Sequence, residues 1–400
     1  MNLKKNSPMN RSLLFFFLFV GCLSTQAQGP VEETVRAIEQ NNTTLHALKK
    51  QLEARMLGNR TGIYPHGPGF DYAYFRSNPA EIGPKQNVSL TQSFAFPGVY
   101  VHQGRIASVR DEQLGMEYQQ QRLQVLNEAM EVCIDLVFVN AMFAETEKRH
   151  AHASALLQAY GRMLELGETS RLEHNKAAIN MASVNQQLER LTVEREGLLA
   201  ELRRLNGGQA VSFSLSTFPH PVLPADFAQW FESHAENNPV LQWLAREAEI
   251  SQGRLALARA RNLPSFTAGY VSETLAHERF HGWTAGLTIP LWENKNTVKL
   301  ARANIHAANE VYHDQQLQLF NQLKAAYDRA SGIMNSLPAF RQQMRGSDHE
   351  ALLQKALESG EISLISYLME LSYYYQGIDQ LLETEKELAL AFAGLYWFSL

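Results

Sequence analysis

Cysteine is nearly absent from this 400-residue chain: there are two, too few for a disulfide framework. One of them, Cys22, lies in the amino-terminal leader, so a mature chain keeps only Cys133. That usage suits an oxidising compartment. An excess of positive charge is also missing. Lys and Arg number 36 against 41 Asp and Glu, a formal charge of −5, and nothing in that balance points to nucleic acid. Beyond the leader no run approaches about 18 apolar residues, so no helix is expected to span a bilayer. A phosphate-binding glycine loop, a serine nucleophile elbow and a paired-cysteine motif are lacking as well. Hydrophobic residues make up 45% and charged residues 19%, which excludes wholesale disorder and collagen-like structure.

What is present begins with the leader. Lys4, Lys5 and Arg11 precede an apolar core, SLLFFFLFV at 12–20, with no acid among them. The core is shorter than the ~20 residues of a spanning helix, and small polar residues follow it, as in a secretory signal. Thr25, Gln26 and Ala27 set cleavage before Gln28, making 1–27 the signal peptide; lipoprotein processing at Cys22 is the rival.

The rest of the chain is written twice. Glu39-Gln40-Asn41-Asn42 recurs as Glu236-Asn237-Asn238, SLTQSF at 89–94 as GLTIPL at 286–291, and LGETS at 166–170 as SGEIS at 359–363. The offsets are about 193–197 residues and the order is kept, so the chain divides into a first repeat at 28–206, a proline-containing connector at 207–224 and a second repeat at 225–400. Each repeat predicts a helix (31–57 and 225–262), two short strands, a very long helix, a glycine-containing turn and a final helix. The strands show period two. Val88, Leu90, Phe94 and Phe96 alternate with small or polar residues over 87–96, as do Trp283, Ala285, Leu287, Ile289 and Leu291 over 283–291; 70–75 and 265–271 are their partners. Leu90, Phe94, Trp283 and Leu287 are the candidates to face lipid. Four strands are too few for a closed barrel, which needs about eight. They must pack on helices or close with other chains.

The helices are long. Residues 98–163 contain no proline, and a helix of about 66 residues runs roughly 100 Å. Its counterpart, 295–358, contains Pro338, which is expected to kink or break it. Val298, Ile305, Tyr312, Leu319, Ala326 and Ile333 recur every seventh residue, a coiled-coil seam. Gly167 and Gly360 end the long helices, and Ser170-x-x-Glu173 resembles a capping box.

Signal peptide, duplicated unit, strand pair and ~100 Å helical hairpin together resemble the TolC-type outer-membrane efflux proteins. SLTQSFAFPG at 89–98 is similar to that family's passage from barrel strand to long helix, LLAELRRLNGG at 198–208 to its end-of-repeat helix, and LGETS and SGEIS to its periplasmic tip turns. The resemblance implies a mostly α fold with a small antiparallel β part. Duplicated helical hairpins would form a periplasmic tunnel, and four strands per chain would join a homotrimeric 12-stranded barrel. It implies the outer membrane of a Gram-negative bacterium as the site, with outer-membrane lipid around the barrel and most of the chain in the periplasm. The partners implied are a periplasmic adaptor and an inner-membrane pump of the resistance-nodulation-division type. The role implied is a passive duct for metal or drug efflux, without cofactor or catalytic residue. The tip residues Leu166, Gly167, Glu168, Ser170, Ser359, Gly360, Glu361 and Ser363 would dock the adaptor.

Two other readings fit parts of the sequence. His277-Glu278-Arg279-Phe280-His281 spells H-E-x-x-H, which in zinc peptidases places two histidines one helical turn apart. Here it falls between two expected strands and reads as a polar surface loop. A periplasmic coiled-coil adaptor or scaffold explains the helices and leader but leaves the repeated strand pairs without a role. His150 and His152 read as solvated, and Met334, Met344 and Met369 as core filling.

Overall fold

The computed structural model describes residues 29–76, 78, 83–219, 222–276, 278–345 and 349–397. The leader, with its two processing sites, lies outside them.

The first helix expected in each repeat is two helices. Asn42 ends α1 (Pro30–Asn41) and caps α2 (Thr43–Asn59). Its side-chain oxygen accepts from the Leu45 amide at 2.9 Å while its Nδ2 donates to the Leu205 carbonyl at 2.8 Å. After α5 (Phe227–Ala235), Asn238 likewise caps α6 (Pro239–Ala260), its side-chain oxygen accepting from the Val240 and Leu241 amides. The asparagine satisfies amides at the start of the new helix, and so competes with continuation of the old one. Asn42→Ala is expected to cost about 1 kcal/mol for the lost cap, with more from the orphaned Leu205 carbonyl; a urea unfolding series measures it.

The strands are β1 (Gly69–Phe75), β2 (Lys85–Phe94), β3 (Ser265–Leu275) and β4 (Glu278–Thr288). They form one antiparallel sheet in the order β1-β2-β3-β4. β4 starts five residues earlier than expected and ends before Ile289, and β2 ends before Phe96. Phe96 instead occupies the cap position of α3 (Pro97–Leu166), where Pro97 suits the first helical turn.

α3 is a continuous 70-residue helix, about 105 Å long. It returns as α4 (Arg171–Leu205). Its counterpart, α7 (Thr297–Arg345), runs through Pro338. α8 (His349–Glu358) and α9 (Leu364–Tyr396) follow in the chain. Pro338 therefore does not end the helix where the sequence suggested. On α9 beside it, Glu385 accepts two bonds from Arg341, at 3.0 and 2.7 Å, tying the helices together one turn past the proline. The seam of α7 also drifts. Its buried positions are Ala301, then Leu323, Ala330 and Leu337; the last three keep a seven-residue spacing but are shifted by one residue from the repeat that Ala301 would start, as expected because about 3.6 residues per turn does not divide seven.

α3 is the spine. Near the sheet it packs on α2 and α6, and α6 packs on α7; lower down it packs on α4 and α9, and α9 packs on α7. The helices thus lie in the order α2-α3-α6-α7 above and α4-α3-α9-α7 below. One edge is α2, β1 and α4; the other is β4 and α7. The core follows this layer. Ile38, Leu126, Leu136, Leu202 and Phe213 form one cluster. Phe227, Trp230, Leu241, Leu323 and Leu395 form its counterpart in the second repeat. The connector lies along α3, where Asn140 Nδ2 donates to the Leu215 carbonyl at 2.9 Å.

Candidate functional site

Cross-strand partners point to the same side of a sheet, so the register sorts the side chains into two faces. On one face Phe94, Phe266 and Leu287 form the row nearest the helices. Phe70, Leu90, Tyr270 and Trp283 form a row further out. All four lipid candidates, Leu90, Phe94, Trp283 and Leu287, share this face and are exposed, Trp283 by 87%. The Tyr270 and Trp283 rings meet edge to face at 5.4 Å. The opposite face is small and polar in the rows nearest the helices, while its far end also carries Phe75, Leu275 and Phe280. It carries Asp71, Lys85, Asn87, Ser89, Thr91, Thr267, Glu273 and Thr284. There Ser89 donates to Asp71 at 3.3 Å, and Lys85 pairs with Glu273 at 2.7 Å.

The polar loop expected at 273–282 is strand instead. Leu275 pairs with Glu278 and Ser272 with His281, leaving 276–277 as the only residues between the strands. His277 lies outside the described residues. The strand continues through these polar residues, so the loss of apolar alternation there does not mark its end. Strand geometry removes the helical turn that H-E-x-x-H needs to place two histidines on one metal. Among the described residues no three histidine, cysteine or carboxylate side chains are grouped to hold a metal ion.

The two tip turns are built alike. Gly167 has φ 77° and Gly360 φ 73°, the left-handed conformation that closes a helix. The amide after each glycine reaches back five residues, Glu168 to the Met163 carbonyl at 2.8 Å and Glu361 to Ala356 at 2.9 Å. Ser170 and Ser363 then cap the returning helices, accepting from Glu173 and Ser366 amides. The capping box is half made: the Glu173 carboxylate binds Lys176. Leu166, Glu168, Ser170, Ser359, Glu361 and Ser363 are all exposed. Ala177, Leu364 and Tyr367 share a buried cluster with Leu156, Tyr160, Leu353 and Ile362, so both turns sit at the same end of the molecule.

Above that cluster the hairpins are joined by polar contacts between residues far apart in the chain. Arg149 on α3, 5% exposed, forks onto Asp379 of α9 at 2.5 and 3.2 Å and lies 4.4 Å from the Tyr375 ring centre. His152 is not solvated, as the sequence suggested: its Nε2 shares a 2.6 Å hydrogen bond with Tyr367 Oη and its Nδ1 one of 3.3 Å with Tyr375 Oη. Burial pushes the Tyr367 phenol up to about 12, with Glu350 and Glu358 adding to the effect. Tyr375 is raised by burial and by Glu350. Both phenols keep their protons at neutral pH. Met334 and Met344 pack in the core between α7 and α9, while Met369 is exposed, against expectation.

A mostly helical subunit with two long hairpins and a four-stranded sheet at one end is the fold of the TolC-type outer-membrane efflux channels. Similar solved structures include CusC, described in connection with transmembrane channel formation, at 13% identity and a TM-score of 0.76 over 92% of this chain and 91% of that one. The CmeC outer-membrane channel of Campylobacter jejuni has 14% identity and a TM-score of 0.70 over 92% and 85%. The outer-membrane protein VceC of Vibrio cholerae has 12% and 0.72 over 92% and 95%. No family model matches the sequence, and no curated protein does. Among the described residues no helix is long and apolar enough to cross a membrane.

Proposed function

We propose that three copies of this chain form an outer-membrane efflux duct. The observation that carries it is a sheet open at both edges, with one apolar face and an opposite face that is small and polar nearest the helices. In hydrocarbon every backbone group must be paired, so spanning strands must close. Three copies of four give about twelve strands, an even antiparallel number. The helical layer supports the same closure. Its edge helices expose Leu172, Ile179 and Val193 on α4 and Leu300, Val311 and Leu317 on α7, side chains that a neighbouring copy would cover. Leu90, Phe94, Trp283 and Leu287 then face lipid, and the polar face lines the pore. The two repeats, 28–206 and 225–400, each supply one strand pair and one hairpin, joined by 207–224. Most of the chain lies in the periplasm, with the leader removed before Gln28 or lipidated at Cys22.

The duct is passive, without catalytic residue or cofactor. It receives metal ions or drugs from a periplasmic adaptor and an inner-membrane pump of the resistance-nodulation-division type. Gly167, Glu168, Gly360 and Glu361, with Leu166, Ser170, Ser359 and Ser363, form the adaptor-docking ring of six turns. The test is fractionation followed by cross-linking: the wild type sediments with the outer membrane as a heat-modifiable trimer and cross-links to the adaptor. Gly167→Leu and Gly360→Leu place a side chain at left-handed φ, a strain of about 1–2 kcal/mol, too small to dissolve a large trimer. Trimers are expected to persist while cross-linking and export fall at least tenfold. Normal cross-linking in both variants would move the docking surface elsewhere.

A further inference from the structure

The apolar face of the sheet carries one permanent charge among its described strand residues, and that charge is an arginine at the end far from the helices. Asp71, Lys85, Glu273 and Glu278 all fall on the opposite face. Arg279 pairs across from Thr274, on the same face as His281, Trp283 and Leu287. Its Nε donates to Ser272 Oγ at 3.3 Å, so the side chain lies along this face. Among the described residues its guanidinium has no acidic partner within salt-bridge distance. His281 sits one row nearer the helices, opposite Ser272, with its ring 6.3 Å from that of Tyr270. The outward sequence of rows on β4 is therefore Leu287, Ala285, Trp283, His281, Arg279: apolar, small, aromatic, imidazole, guanidinium.

Depth decides what the guanidinium meets. From Leu287 to Arg279 is eight residues, about 27 Å along the strand at ~3.4 Å each. At a barrel tilt of about 35–45° this is ~20 Å along the membrane normal, close to the ~25 Å height of a barrel's apolar band. With the helices in the periplasm, Leu287 marks the inner boundary of the hydrocarbon and Arg279 the outer one. A lone cation there, with an aromatic row beneath it and no carboxylate on its face, is complementary to an anionic headgroup. The planar fork of an arginine matches the oxygens of a phosphate.

We infer that Arg279, supported by His281, binds the phosphate of an anionic outer-leaflet lipid, giving the assembly three lipid sites beside the seams between copies. This rests on the channel reading, because the depth argument needs the sheet in a membrane. It also accounts for H-E-x-x-H without catalysis: Arg279 and His281 are headgroup ligands on the outer face, while Glu278 turns to the pore side.

The test uses the full-length trimer purified in neutral detergent, then equilibrated with equal amounts of phosphatidylglycerol and phosphatidylcholine. Lipid retained on the trimer is quantified by mass spectrometry. The wild type is expected to enrich the anionic lipid roughly fivefold, the factor one arginine brings at an anionic surface. Arg279→Gln should return the ratio to that of the input, and Arg279→Lys should keep part of the enrichment. Lys85→Gln, on the pore face, should leave it unchanged. Equal enrichment by wild type and Arg279→Gln, or an equal loss in Lys85→Gln, would overturn the inference while leaving the channel intact. A wild type that forms no trimer and enters no vesicle would sink the channel reading and this inference with it.

Discussion

Leu90→Asp is expected to abolish heat-modifiable trimers in the outer membrane, and Leu287→Asp to reduce them. Both side chains are on the apolar face, but they sit at different depths. Leu90 shares the row of Tyr270 and Trp283, near the middle of the band, whereas Leu287 lies in the row next to the helices. A carboxylate near the centre of a bilayer costs about 2.5–3.5 kcal/mol, and every copy in the assembly carries it. The penalty falls toward the interface, so the order Leu90 before Leu287 is itself a prediction. Thr284→Asp, one residue from Trp283 on the opposite face, should assemble normally. If all three variants gave wild-type trimers, or if Thr284→Asp were the worst of them, the assignment of the faces would be wrong.

The second large effect belongs to Arg149. Arg149→Leu removes the partner of Asp379, whose side chain remains 29% exposed, and also the cation over the Tyr375 ring. Breaking a buried pair costs about 3–5 kcal/mol. Water can still reach Asp379, so about 2–3 kcal/mol is expected here. Hydrogen exchange should rise in α3 and α9 between the ion pair and the tip turns, with a lower thermal midpoint. The double variant Arg149→Leu, Asp379→Leu should recover most of the loss, since no charge is left unpartnered. A single variant as protected as the wild type would show that the hairpins are joined by apolar packing alone.

The parts legible in the sequence were those with a local cause. Gly167 and Gly360 marked the turns because a helix end in left-handed geometry favours glycine wherever it occurs. The strand faces followed from alternation of two. The break at Asn42 was not legible, because the apolar spacing runs smoothly through it and the outcome depends on one side chain finding both an amide and the Leu205 carbonyl. β4 was cut short for a different reason. Apolar alternation gives way at the far end of the strand, where Arg279 and His281 take the positions that Trp283 and Leu287 hold nearer the helices. Arg149 and Asp379 are 230 residues apart, and no periodicity can pair them. His152 looked solvated because its neighbours in sequence are polar, while its partners come from α9.

The open edges at β1 and β4 have a genetic consequence. In the proposed ring of three each copy would offer both edges, so no copy could be a passive member of it. A defect confined to one edge is felt by a healthy neighbour. If half of the chains in a cell carried a substitution that spoils one edge strand, random assembly would leave only about one threefold ring in eight free of it. Such an allele would behave as dominant over the wild type, whereas a null allele would remain recessive.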